Sequence, residues 1–133
     1  MIPSTNSLLT KDISIDSYGS TIYKMDMDKN TIHGLAEDIE SLKQMIFCIL
    51  NTERYEYLAY SWDFGLYTVD LFGKRYDYVC AELERRIPDA LLQDDRIESV
   101  DSFEFSREGN KVLCKFTVHS TFGNIDTERT VSI

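Results

Sequence analysis

Alternation of apolar and polar positions divides the chain into an unpatterned start, two helical stretches and a strand-rich second half. Met1–Ser20 is rich in Ser, Thr and Asp and carries Pro3 and Gly19. It reads as an N-terminal arm, residues 1–20, ahead of a single domain over residues 21–133. Leu8, Leu9, Ile13 and Ile15 suit either docking on a neighbour or a frayed terminus. Thr21–Asp28 then alternates, with Tyr23, Met25 and Met27 opposite Lys24, Asp26 and Asp28, the period of a half-buried strand. Asp28-Lys29-Asn30 follows as a turn.

From Leu35 to Asn51 the period lengthens. Leu35, Ile39, Leu42, Ile46 and Ile49 fall at steps of four and three, on one helical face. Glu37, Asp38 and Glu40 crowd the first turns, where the helix dipole favours acids. Met45, Phe47 and Leu50 widen the apolar stripe, so this helix is expected to be covered on more than one side. Tyr76, Val79, Cys80, Leu83 and Ile87 space a second helix. Pro88 predicts a kink or a new short turn there, with Ala90, Leu91 and Leu92 adding one more apolar turn.

Three strands follow. The first holds Phe103 and Phe105 on one face and turns through Glu108-Gly109-Asn110. The second sets Val112, Cys114, Phe116 and Val118 against Leu113, Lys115, Thr117 and His119. The third alternates over Ile125–Ile133, after Phe122-Gly123-Asn124. The predicted fold is α+β, an antiparallel sheet packed on two main helices, with an aromatic-rich turn between the helices. The last strand reads as an edge. Thr127, Arg129 and Val131 are then available for pairing with another chain's strand, unless Asp126, Glu128 and Arg129 shield it with charge.

That aromatic turn, Thr52–Phe72, gathers Tyr55, Tyr57, Tyr60, Trp62, Phe64, Tyr67 and Phe72 around Trp62-Asp63-Phe64-Gly65. Gly65 can take a positive φ that its neighbours resist. Such a density of Tyr and Trp fits either a core corner or an interface hot spot. A second polar feature is Asp94-Asp95-Arg96, inside Ala90–Phe105, where the second helix gives way to a strand. It is either a solvated turn or a fixed guanidinium fork for a carboxylate on this chain or a partner.

Composition narrows the classes. A chain of 133 residues with 43% apolar content is one folded domain. Its net charge of −9 argues against nucleic acid or an anionic membrane as partner. No apolar run approaches the roughly 18 residues of a membrane span, and Met1–Lys11 lacks the basic start and apolar core of a secretion signal. The expectation is a protein kept in a cytosol or built into a particle assembled there. Cys48, Cys80 and Cys114 have no metal-ligand spacing and read as buried reduced thiols. His33 and His119 lie too far apart in sequence to suggest a metal site or a triad. No cofactor, metal or small-molecule ligand is expected.

The chain resembles the small acidic baseplate-wedge protein of contractile phage tails, the sheath initiator, in the form found in prophages of Gram-positive bacteria. The resemblance spans roughly residues 22–133. It rests on Ile49-Leu50-Asn51-Thr52-Glu53-Arg54, Trp62-Asp63-Phe64-Gly65, Leu71-Phe72-Gly73 and Leu91-Leu92-Gln93-Asp94-Asp95-Arg96-Ile97, in that order and spacing. In better-known members the Asp94-Asp95-Arg96 position is Glu-Pro-Arg, which binds the core bundle of larger wedge proteins. Here Asp95 stands in the proline's place, loosening the backbone and adding a charge. The resemblance implies a structural, non-enzymatic role that joins the wedge and core bundle to the first tail-sheath ring. Sheath arms would add strands to its sheet, in the virion baseplate, after assembly in the host cytoplasm. Expected partner-binding residues are Asp94, Asp95, Arg96, Glu53, Arg54, Trp62, Phe64 and Gly65, with Thr127, Arg129 and Val131 on the strand-lending edge.

Two other classes stay open. Some relatives carry a lysozyme label, and a muramidase needs one protonated and one ionised carboxyl group, for which Glu53, Asp63, Asp94 and Asp95 are the available acids. A regulatory adaptor on the same kind of fold is the other, since fold does not fix function.

Overall fold

In the computed structural model, which describes residues 21–133, two antiparallel sheets flank two helices. The expected arm lies outside the described residues. Strand β1 (Thr21–Asp26) pairs with β2 (Thr31–Glu37), and α1 (Asp38–Asn51) follows directly. A long loop containing one 3-10 turn (Val69–Leu71) leads to α2 (Tyr76–Leu91). Then β3 (Ile97–Glu108), β4 (Lys111–Ser120) and β5 (Gly123–Ser132) form an antiparallel meander in that order.

The core is aliphatic and lies between the meander and the helices. Leu42, Ile46, Ile49 and Leu50 of α1 meet Val79, Leu83, Ile87, Ala90 and Leu91 of α2. Val112, Cys114, Phe116 and Val118 come from one face of β4, and Ile125 and Val131 from the same face of β5. Period 2 on β4 and the 3.6-residue stripe on each helix therefore converge on one apolar layer. Phe103 and Phe105 share a face of β3, as expected, and Phe103 stacks on Phe116 at 5.5 Å. Burial pushes the Cys114 thiol up to about 12, so it stays a protonated, inert core group. Cys48 and Cys80 are half-buried.

Four expectations need correction. The first helix was expected from Leu35, but Thr31–Glu37 is strand β2 and only Ala36 of it is buried. Leu35 happens to sit four residues before Ile39, in phase with the helix, yet it is exposed on the hairpin. Tyr23 and Met27 were expected to face inward with Met25. A register shift between Tyr23 and Met25 breaks the alternation, and both Tyr23 and Met27 are exposed. The hairpin is held to α1 instead by Gln44, which accepts from the Met25 N–H (3.0 Å) and donates to the Tyr23 carbonyl (2.7 Å). Pro88 does not open a new turn: α2 runs through it, and the Leu92 N–H donates to the Pro88 carbonyl at 2.8 Å. The turn before β5 is Thr121-Phe122, with Gly123 already the first strand residue.

Candidate interaction surface

The loop between the helices has almost no regular structure, so its shape depends on side chains. Thr52 closes α1 by donating its hydroxyl to the Cys48 carbonyl (2.6 Å), and its own carbonyl accepts the Leu66 N–H (2.9 Å). The Arg54 N–H returns to the Leu66 carbonyl (3.3 Å), a one-pair parallel bridge that pinches the loop's base. Gly65 stands at this pinch with φ +97°, where a Cβ would lie 2.6 Å from the Thr52 carbonyl oxygen. Only glycine fits such an approach.

Charged groups then fix both arms of the loop. One Glu53 carboxylate oxygen accepts the N–H groups of Thr68 (2.6 Å) and Val69 (3.0 Å), and the other accepts the Thr68 hydroxyl (2.7 Å). Glu53 thus caps the start of the 3-10 turn. Arg54 donates Nε to the Gly65 carbonyl (3.0 Å) and Nη1 to Asp89 on α2 (3.4 Å). Both residues were expected to bind partners; in the free chain their side chains hold the loop. Arg86 of α2, which the sequence pattern had not singled out, is the strongest staple. It binds Asp70 through two parallel bonds (2.6 and 2.8 Å), Glu82 through Nε (2.8 Å) and the Tyr67 carbonyl (3.0 Å), and lies over the Tyr67 ring. The Arg86 guanidinium holds the Asp70 carboxyl below its usual range, and Asp70 raises the Arg86 pKa in return.

With the polar groups inside, the rings face out. Tyr55, Tyr57, Tyr60, Trp62, Tyr67 and Phe72 are all exposed, Trp62 by 77%. Tyr60 stacks on the half-buried Phe64 at 4.8 Å and meets Tyr57 edge-on at 6.0 Å. Leu58, unremarked in the sequence pattern, is fully exposed beside them. Of the two readings of this aromatic density, the core corner does not fit these exposed rings.

At the Asp94–Arg96 corner the guanidinium has already found its carboxylate. Arg96 donates Nε (3.0 Å) and Nη2 (2.7 Å) to Asp94, whose Oδ1 also accepts the Arg96 N–H (3.0 Å). The pair is largely buried, 14% and 16% exposed at the side chains, and the Arg96 guanidinium holds Asp94 below the usual carboxylate range. Asp95, Leu92 and Gln93 are the exposed groups of this corner.

Strand β5 pairs with β4 in an unbroken register from Lys111↔Ser132 to Ser120↔Gly123. It occupies one border of the meander, and β3 the other. Among the described residues no strand pairs with its second side, so alternate N–H and C=O groups there point away from the sheet. Thr127, Arg129 and Val131 point to the helix side, and Val131 is core. A cleft of 540 Å³ separates residues 129–132 from Thr68, Val69 and Phe72 of the loop.

A family model for contractile injection system sheath initiators matches residues 11–123. The match begins inside the segment expected to lie outside it, and it ends where β5 starts. The chain is also 30% identical to the phage-like element PBSX protein XkdS of Bacillus subtilis (strain 168), over 91% of each chain.

Proposed function

This chain belongs to the contractile injection system sheath initiator family, a structural component of a contractile tail, and on that premise we propose that it joins the baseplate wedge to the first sheath ring. Two surfaces share the work. The aromatic loop and the Asp94–Arg96 corner face the larger wedge proteins and their core bundle. The border strand β5 receives an extended segment of the tail sheath protein and so starts sheath assembly.

The observation that carries this reading is the open side of β5, a regular strand with one row of main-chain donors and acceptors unpaired among the described residues. The loop supports the wedge contact, because a cluster of exposed Tyr and Trp is the composition of an interface centre. At the corner, Asp94 and Arg96 set the shape and Asp95 is offered to the partner.

Of the acids named for a muramidase, Asp63 and Asp94 sit where hydrogen bonds favour the ionised form. Asp63, Asp70, Glu82, Asp94 and Asp101 all have carboxyl groups displaced below their usual range, by hydroxyl, guanidinium or imidazole hydrogen bonds. A glycosidase acid needs the opposite displacement.

The test is co-purification from cells assembling the tail, with tagged chain and both partner classes identified by mass spectrometry. Wild type should bring down wedge proteins and sheath protein. Asp95→Ala combined with Trp62→Ala, both at exposed positions, should lose the wedge proteins and keep the sheath. Recovery of neither partner by a folded wild-type chain would sink the proposal.

A further inference from the structure

Arg129 is an arginine on the inner face of a border strand, and among the described residues its charge has no counter-ion within ion-pair distance. Its only hydrogen bond among the described residues is from Nη1 to the neutral amide oxygen of Asn51, 3.2 Å away, and its buried Nε has no acceptor at all. No ion pair within 4.0 Å among the described residues includes it. The contrast with Arg86, bound to two carboxylates, is plain. Glu53 attracts Arg129 at longer range, but that carboxylate is occupied by Thr68 and Val69. The C-terminal end of α1 at Asn51 offers only about half an opposite charge. Burial accordingly lowers the Arg129 pKa, the mark of a cation held where it is poorly solvated.

A half-buried charge is costly unless something completes it. Arg129 also lines the cleft between β5 and the loop, whose far wall carries the exposed side chains of Val69 and Phe72. Open main-chain groups, an apolar wall and an uncompensated guanidinium thus meet in one groove.

We propose that this groove recognises an extended strand bearing a carboxylate side chain, which pairs with the Arg129 guanidinium while an apolar neighbour packs on Val69 and Phe72. The occupant is the sheath segment assigned above, so the inference rests on that reading and adds its chemistry. The recognised feature is a single carboxylate, because a chain of net charge −9 repels a broadly acidic surface. An arginine at this position selects which strand is accepted and in which register, where main-chain pairing alone would take any.

The experiment measures the affinity of the full chain for purified tail sheath protein at about 50 mM and about 300 mM NaCl. Wild type should bind and weaken with salt. Arg129→Gln should bind at least about tenfold more weakly, with most of the salt dependence gone. Arg129→Lys should recover part of the affinity, and Lys24→Gln, on the other sheet, should match wild type. A folded Arg129→Gln that binds like wild type overturns the carboxylate and leaves the sheath role standing. No binding by wild type overturns both. If Arg129→Gln does not fold, acids in the sheath protein's extended segments are neutralised one at a time against the wild-type chain. One substitution should reproduce the loss; if none does, the proposal fails.

Discussion

The helix–meander core and the aromatic loop solve the same problem with opposite materials. In the core, aliphatic side chains from α1, α2, β4 and β5 fill the interior and charged groups stay outside. In the loop, Glu53, Arg54, Asp70 and Arg86 form the internal framework, while Tyr55, Tyr57, Tyr60 and Trp62 project into solvent. The lesson concerns what each region leaves available. The core consumes its apolar residues in holding the fold together. The loop holds its shape with polar bonds, which frees its rings for something else. An exposed ring cluster of this kind is what the proposed wedge contact would use.

The largest expected effects test the first half of that contrast. Leu83 is fully buried on α2, so Leu83→Ala should lose its transfer free energy and leave a cavity, at a cost of about 2–5 kcal/mol. Urea unfolding measures it; a loss below about 1 kcal/mol would mean the core is not where stability resides. Next in size is Gly65→Ala at the pinch of the loop. The left-handed φ and the contact with the Thr52 carbonyl should together cost about 2 kcal/mol. That loss should come with faster proteolysis between residues 53 and 68. Uniform protection of the loop in a folded Gly65→Ala would show that the pinch does not set its shape.

How far the sequence spoke depended on where periodicity coincided with burial. Leu42, Ile46 and Ile49 on α1, and Val112 to Val118 on β4, were legible because each repeats on a face that is buried. Strand β2 was not, since only Ala36 of its seven residues is covered and Leu35 imitates the helical phase. The new turn expected at Pro88 is absent for a related reason. Pro88 lies three residues from the end of α2, and the carbonyl it leaves unbonded belongs to the exposed Glu84, where water can serve it. The candidate site was half-readable. Aromatic density flagged the loop but could not say whether the rings turned in or out. Arg86 carried only a helix-face pairing with Glu82, and nothing local points to Asp70 sixteen positions earlier. The state of Arg129 depends on Asn51, 78 positions away, and no pattern in the strand reveals it.

One polar cluster on the meander blurs the division and gives a smaller effect. On β4, His119 bridges its neighbours, reaching Asp101 on β3 (2.8 Å) and Asn124 on β5 (2.8 Å). Both contacts end on oxygen, so the protonated ring satisfies both as a donor, and its pKa rises above the ordinary 6.5, chiefly through Asn124 and then Asp101. The sign follows. A raised folded pKa contributes stability that is complete below 6.5 and disappears as pH climbs through the raised value. Asp101, held low by His119, contributes above 3.8 and loses that contribution as pH falls through its lowered value. Melting temperature should therefore decline modestly from about pH 6 to about pH 8 in wild type. In His119→Gln that decline should flatten. Equal slopes in the two chains would remove the imidazolium from the account.

The smallest expected effect on the free chain is the most informative about the loop. A tryptophan in a core costs about 3–5 kcal/mol when cut to alanine. Trp62 is 77% exposed and no ring contact among the described residues fixes it, so Trp62→Ala should change stability by less than about 0.5 kcal/mol. A larger loss would mean that the rings are part of the loop's framework after all, and the contrast with the core would collapse. If stability is unchanged, the ring's role has to appear elsewhere. Capture of wedge proteins by this variant should fall at least about tenfold, because truncating an aromatic anchor at the centre of an interface removes about 2 kcal/mol or more of binding. Unchanged stability together with unchanged capture would move the wedge contact off the loop and leave it to the Asp94–Arg96 corner alone.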